Sequence, residues 1–193
     1  MTTDIDRRLA IVPGSLADIA SAGKQSVAQA FVGVEVVIIV DTSGSMDSRD
    51  STGERSRYDV ACEHLAELQT SLPGRVAVIA FSDTAAFCPN GIPMFLGGRT
   101  DMTGALQFAK IADAPGVRFI VISDGEPDNS QTALQVAATY RNRIDTIYVG
   151  PEYMPYGRDF LQRLAAASGG QSVVANRATN LLGAAQRLLT VQP

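Results

Sequence analysis

The stretch VEVVIIVDTSGSM, residues 34–46, decides the fold of this chain. It contains a continuous apolar run of β-branched residues, Val36 to Val40, which is typical of a strand buried on both faces of a sheet. The run ends at Asp41, and a polar loop containing Gly44 follows. A helix is predicted next, at about 56–72, because apolar residues recur there at helical spacing. Strand, loop and covering helix in this order predict an α/β protein.

The same alternation continues along the chain. Further buried strands are predicted at about 75–82, 117–123 and 144–150, with a last strand at 171–175. Further helices are predicted at about 102–112, 130–142, 157–168 and 179–190. An additional segment, 92–96, contains Pro93 and suits an edge strand. We therefore predict a doubly wound, Rossmann-like α/β fold, in which helices flank a mostly parallel sheet of six strands.

Length, composition and charge exclude several classes of protein. A chain of 193 residues suits one domain, and we assign residues 1–33 to an N-terminal helical extension and 34–193 to the domain itself. The net charge of −4 is opposite to that of a nucleic-acid binder. The longest apolar run is far shorter than the roughly 20 residues of a membrane helix, so we expect no membrane insertion. The N-terminus lacks a basic start followed by an apolar segment, which favours a cytoplasmic location.

Carboxylates and hydroxyls cluster where ligands of such sheets bind, beyond the carboxyl ends of the strands. Asp41, Ser43 and Ser45 follow the first buried strand. Asp124 follows a later buried strand, and Thr100 precedes a predicted helix. Oxygen ligands without histidine or thiol favour Mg²⁺ or Mn²⁺ over zinc or copper. The sequence therefore predicts a divalent metal site at the edge of the sheet where these three loops meet.

Three motifs in this order resemble the von Willebrand factor type A domain: DTSGS at 41–45, GGRT at 97–100 and SDG at 123–125. The similarity covers about residues 34–190. It implies a sheet with one antiparallel edge strand, for which 92–96 is the candidate.

The resemblance also implies a metal-ion-dependent adhesion site. Ser43 and Ser45 match the hydroxyls that bind the metal directly in that family. Thr100 matches the hydroxyl that joins when a ligand is engaged. Asp41 and Asp124 match carboxylates that usually act through water and hydrogen bonds and sometimes bind the metal directly.

The charge of this residue set indicates a binding function rather than an enzyme. Two carboxylates and neutral hydroxyls only just neutralise a divalent ion, which keeps an open position for an anionic oxygen. An Asp or Glu of a partner protein suits that position, because exclusion of water at an interface strengthens the ion pair. Family association points to a chaperone-like ATPase or a multiprotein assembly as the partner.

Two other functions stay open. One is a structural domain whose metal site is vestigial. The other is a Mg²⁺-dependent phosphatase-like enzyme, but such enzymes use a D-x-D motif, and here the third position is Ser43. The catalytic lysine would have to be Lys24 or Lys110, the only lysines in the chain.

Two loops near the expected site are candidates for partner contact. The first, residues 46–57, mixes acids and bases, and Arg49 is its candidate contact residue. The second, residues 151–158, carries Tyr153 and Tyr156, of a type enriched at interfaces. The alternative is that each loop is an ordinary solvated surface segment. Cys88 is also expected in a loop, where it could be exposed.

Overall fold

The computed structural model describes residues 10–50, 55–125, 127–150 and 155–174. Its strands are β1 (Val36–Asp41), β2 (Val76–Phe81), β3 (Ala85–Phe87), β4 (Arg118–Ser123), β5 (Ile144–Tyr148) and β6 (Ser172–Val174). Its helices are α1 (Leu16–Ala22), α2 (Val27–Phe31), α3 (Arg57–Ser71), α4 (Met102–Ala109), α5 (Ser130–Ala137) and α6 (Pro155–Ser168). Single 3₁₀ turns cover Gly44–Asp47 and Lys110–Ala112.

The six strands form one sheet in the order β3-β2-β1-β4-β5-β6. Strand β3 is antiparallel to β2, and the other pairs are parallel. From β1 the chain adds β2 and β3 toward one lateral edge of the sheet, and from β4 it adds β5 and β6 toward the other. The strand order therefore reverses between β1 and β4. This arrangement confirms the predicted fold class, and it creates a crevice at the carboxyl ends of β1 and β4.

The two faces of the sheet carry separate apolar layers because side chains alternate along each strand. Val37 and Ile39 point into the layer shared with α1, α2, α4, α5 and α6. Val36, Ile38 and Val40 point into the layer shared with α3. The stripe predicted on that helix is confirmed: Ala61, Leu65 and Leu68 are buried there, and Tyr58 and Leu72 pack at its margin. Burial on both faces explains why β1 has no polar residue before Asp41.

The predicted position of the antiparallel edge strand was wrong. The strand is β3, which returns directly after a short turn in which the Ser82 N–H donates to the Thr84 carbonyl at 2.9 Å. The segment 92–96 lies outside the sheet. It packs on α3 instead, where the Tyr58 hydroxyl donates to the Pro93 carbonyl at 2.7 Å and the Tyr58 ring meets Phe95 edge-on.

The expectation that Cys88 could be exposed was also wrong. Its backbone N–H donates to the Val78 carbonyl at 2.8 Å, which continues the pairing beyond β3. The side chain is 4% exposed and belongs to the apolar layer under α3. Burial raises the pKa of this thiol.

Two helices are shorter than their apolar patterns predicted. Helix α4 ends at Ala109 and continues as a 3₁₀ turn. Helix α5 ends at Ala137 rather than near residue 142. Tyr140 turns back into the core there: its hydroxyl donates to the Leu106 carbonyl, and its ring packs edge-on against Phe119.

The helix predicted at 179–190 lies outside the described residues. Within the described part of the chain, no helix is both long enough and apolar enough to cross a bilayer.

Candidate functional site

The centre of the candidate site is the junction between the ends of β1 and β4. These strands pair in register up to Val40 and Ile122, so Asp41 and Ser123 follow at the same level. The Ser123 hydroxyl donates to Asp41 Oδ2 at 2.6 Å. The sheet therefore places Asp41 and Asp124, the residue after Ser123, at one edge, as the sequence predicted.

A chain of hydrogen bonds joins four of the five predicted metal-site residues. The Ser43 N–H donates to Asp41 Oδ1 at 2.9 Å. The hydroxyls of Ser43 and Ser45 lie 3.2 Å apart, and Ser45 donates to Asp124 Oδ1 at 2.8 Å. The 3₁₀ turn that begins at Gly44 curls the loop so that both hydroxyls face the same space. The predicted convergence of the first and third motifs is thus observed.

Thr100 lies in the loop beside these hydrogen-bonded residues, and only the backbone of that loop has described hydrogen bonds to the loop that carries the two serines. The Gly44 N–H donates to the Gly98 carbonyl at 3.1 Å, and the Gly97 N–H donates to the Thr42 carbonyl at 2.9 Å. These bonds hold the 97–100 loop against the serine loop. Thr100 is buried, and its described hydrogen bonds are accepted by its carbonyl oxygen, from Asp128 and Met102. The structure therefore places Thr100 next to the site without a described side-chain bond to it.

The site has a buried side, formed by Asp41 and Asp124 and called the floor below, and an exposed side at Ser45, called the mouth. Asp41 is fully buried and Asp124 is 6% exposed, whereas Ser45 is exposed. Burial raises the pKa of Asp41 to about 6, although hydrogen bonds from Ser123 and Ser43 act in the opposite direction. No Lys or Arg among the described residues forms an ion pair with Asp41. Its negative charge therefore has hydrogen-bond donors but no described counter-charge.

Arg57 is the site residue that sequence reasoning missed. It is the first residue of α3, and its guanidinium Nη1 donates to Asp124 Oδ2. The other side of the guanidinium binds both carboxylate oxygens of Asp50, with Nε 2.9 Å from Oδ1. Burial disfavours the charge on Arg57, but the bonds to Asp50 and Asp124 outweigh it and raise the pKa of the guanidinium. No motif marks this position, since one Arg among several in a polar stretch carries no local signal.

The donor atoms fit a hard divalent cation. Among the described residues there is no group of three or more His, Cys, Asp and Glu side chains arranged to hold a metal. The site offers instead two convergent hydroxyls and two carboxylates, an all-oxygen set that suits Mg²⁺ or Mn²⁺. Asp41, Asp50, Asp124 and Arg57 together carry two negative charges when all are ionised, which one divalent ion neutralises.

Two of the three predicted partner-contact residues are described by the structure, and both are exposed. Arg49 is exposed in the loop that follows the serines. Tyr156 is 75% exposed in the first turn of α6. Its neighbour Gly157 packs on the Asp124 loop so closely that a Cβ there would lie 3.2 Å from the Asp124 carbonyl oxygen. Tyr153 lies outside the described residues.

Comparison with known proteins identifies the family of the chain. The sequence profile of the von Willebrand factor type A domain matches residues 36–145. No curated protein sequence matches the chain.

Similar solved structures share the fold at low sequence identity. BatB from Bacteroides thetaiotaomicron is 21% identical, with 82% of this chain and 98% of that chain covered and a TM-score of 0.64. An aerotolerance-related membrane protein from Bacteroides fragilis is 20% identical, with coverages of 81% and 98% and a TM-score of 0.62. The manganese-loaded TRAP protein of Plasmodium vivax is 16% identical, with coverages of 78% and 70% and a TM-score of 0.50.

Proposed function

The chain belongs to the von Willebrand factor type A domain family, and we propose that it binds an acidic group of a partner protein through a divalent cation. Domains of this family are generally protein-interaction modules. More specifically, we propose that Ser43, Ser45 and Thr100 bind the cation, Mg²⁺ or Mn²⁺. Asp41 and Asp124 support these ligands. We propose no catalytic step for the chain.

The observation that carries this proposal is the hydrogen-bond chain from Asp41 through Ser43 and Ser45 to Asp124. These residues come from two distant parts of the sequence, and Ser45 and Asp124 are 79 positions apart. Serine hydroxyls in an ordinary surface loop have no reason to converge on a buried carboxylate, because water satisfies them equally well. Their convergence at the strand-order reversal supports a role in ligand binding.

The electrostatics of the floor support a cation as that ligand. Asp41 is fully buried, and a buried carboxylate is costly unless it is paired or binds a metal. A bound divalent ion would supply the missing positive charge and an open position for an anionic oxygen. Ser43 and Ser45 would orient toward the ion as acceptors, which frees Ser45 from its bond to Asp124.

The nature of the partner group follows from the exposed mouth. Ser45 is exposed while the carboxylates lie beneath it, so a ligand reaches the site from solvent. A carboxylate from a partner would fill the open coordination position of the ion, and the surrounding interface would exclude the water that weakens the contact. The TRAP protein of Plasmodium vivax, which shares this fold, was crystallised loaded with manganese, which supports the proposal of a metal ligand here.

Calorimetric titration with Mn²⁺ and Mg²⁺ tests the metal site. We expect binding to the wild-type protein, a loss of at least about tenfold in affinity for Ser43→Ala and for Ser45→Ala, and no change for Ser48→Ala. Ser48 is a matched control because it is an exposed serine in the same loop. If the wild-type protein takes up neither ion at millimolar concentration, the site is vestigial and the proposal fails.

A capture experiment tests the interaction itself. The immobilised protein is exposed to cell extract in Mg²⁺ and again in EDTA, with Ser43→Ala as a second negative control. We expect partner capture only by wild type in Mg²⁺. Equal capture in EDTA would show that recognition does not use the cation.

A further inference from the structure

Arg57 holds an unusual position for a buried cation. It begins α3, and the first turn of a helix presents unpaired N–H groups whose partial positive charge disfavours a cation. Its side chain is only 8% exposed, and that of Asp124 is completely buried. The favourable energy of the guanidinium must therefore come from the carboxylates that it contacts, Asp50 and Asp124.

The two carboxylates hold Arg57 in different ways. Asp50 receives two parallel hydrogen bonds, the fork geometry that is strongest between guanidinium and carboxylate. Asp124 receives one bond from Arg57, at Oδ2, while Ser45 occupies Oδ1. The side chain of Asp50 is 44% exposed, so this partner lies toward the surface. Arg57 thus bridges the floor of the site to the loop at its mouth.

We infer that Arg57 sets the cation affinity of the site by competing with the divalent ion for Asp124. This inference rests on the proposed function, since it assigns the ion to the same carboxylate. The guanidinium neutralises Asp124 in the metal-free protein, and an ion that binds there must displace it or bind beside it against charge repulsion. Asp50 retains the displaced guanidinium through the remaining two hydrogen bonds.

The competition makes the segment around Asp50 part of the metal response. Because Arg57 and Asp50 stay paired, release of Asp124 moves the guanidinium together with the loop that carries Asp50. Arg49, which adjoins Asp50, is carried by the same segment. Cation binding is thereby coupled to the position of a surface that a partner would touch.

Titration of charge-matched variants with Mn²⁺ tests the competition. Arg57→Gln should bind Mn²⁺ about tenfold more tightly than wild type. Arg57→Lys, which retains the positive charge but not the fork geometry, should tighten Mn²⁺ binding less than Arg57→Gln does. Arg55→Gln is the control for net charge, because Arg55 pairs with Glu63 on the surface and should leave the affinity unchanged.

The outcomes separate this inference from the proposed function. If neither wild type nor Arg57→Gln binds Mn²⁺, the metal-site proposal fails. If both bind equally, or if Arg57→Gln binds more weakly, the metal site stands and competition by Arg57 is wrong.

A second pair of variants decides the question if Arg57→Gln does not fold. Asp50→Asn removes the group that retains the displaced guanidinium and should weaken Mn²⁺ binding at least about threefold more than Asp47→Asn. Both changes remove one negative charge from the same exposed loop. Equal effects of the two would overturn the inference.

Discussion

The Ser123 hydroxyl donates to Asp41 Oδ2 at 2.6 Å and thereby ties the ends of the two central strands together. The bond lies beneath the candidate metal site, in a region closed to solvent, since both residues are fully buried. A hydroxyl can stabilise the charge of Asp41 but cannot neutralise it. The stability of the metal-free protein should therefore depend on the pH, because Asp41 has no positive partner among the described residues when it ionises.

Stability without metal should fall as the pH rises. The folded-state pKa of Asp41 is about 6, above its ordinary value of 3.8, so the carboxylate costs nothing extra below pH 3.8, where it is protonated in both states. Between pH 3.8 and about 6, Asp41 ionises more readily in the unfolded chain than in the folded protein. The free energy of unfolding therefore falls by up to about 3 kcal/mol over this range. Urea unfolding in EDTA at pH 4 and pH 7.5 measures this effect.

The matched variant for that experiment is Asp41→Asn, which preserves size and cannot ionise. The difference in unfolding free energy between wild type and variant should change with pH, because only wild type has an ionisable group at position 41. The titration of all other groups largely cancels in the difference. Adding Mg²⁺ should restore wild-type stability at pH 7.5 and leave the variant unchanged. A pH-independent difference would show that the buried Asp41 carboxylate does not destabilise the folded protein when it ionises.

Tyr156 should contribute to partner binding without affecting the metal. It is 75% exposed, and the next residue packs on the Asp124 loop, so the start of α6 lies beside the site. Tyr156→Ala should weaken partner capture in Mg²⁺ and leave Mn²⁺ affinity and thermal stability unchanged. Ile111→Ala is the control, since Ile111 is 88% exposed in the turn before β4, at the other end of the sheet. Loss of capture by both variants would rule out a specific role for Tyr156.

Gly170 should tolerate no side chain. A Cβ at this position would lie 2.1 Å from the Ile144 carbonyl oxygen, which belongs to the backbone of β5. Gly170→Ala should therefore lower the free energy of unfolding by about 2 kcal/mol or more, because the strand would have to move.

The neighbouring glycine provides the comparison. Gly169 has a φ of +77° but no atom within 4 Å of its Cβ position, so Gly169→Ala should cost only the backbone strain, about 1 kcal/mol. Urea unfolding of both variants measures the difference. A smaller effect for Gly170→Ala than for Gly169→Ala would contradict the close approach of Gly170 to the backbone of β5.

Cys88 should resist thiol reagents in the folded protein. It is 4% exposed, and burial raises its pKa, so both access and thiolate formation are limited. Cys62, which is partly exposed, should react first. Thiol titration with Cys62→Ser should show no rapid reaction until denaturant is added. Rapid modification of this variant under native conditions would contradict the burial of Cys88.

The strands and the metal-site motifs were predictable because their signals are local. A strand buried on both faces must be apolar throughout, so β1 and β2 can be recognised from consecutive residues. The convergence of Ser45 and Asp124 could be predicted from the rule that parallel strands end at one edge. The edge strand could not, because Pro93 made 92–96 look suitable, whereas pairing depends on the turn at Ser82 that returns the chain directly beside β2.

The sequence by itself determined the α/β architecture and the residues that meet at the carboxyl edge, since both follow from apolar periodicity and from which residues end each strand. Only the tertiary structure decided that Arg57 pairs with Asp124 across 67 positions of sequence. The reason is physical: Arg57 meets Asp124 only because the first residue of α3 lies beside the end of β4, and the packing of the helix on the sheet sets that placement. The counter-charges of a site are therefore long-range properties, whereas its donor atoms can be identified from local pattern.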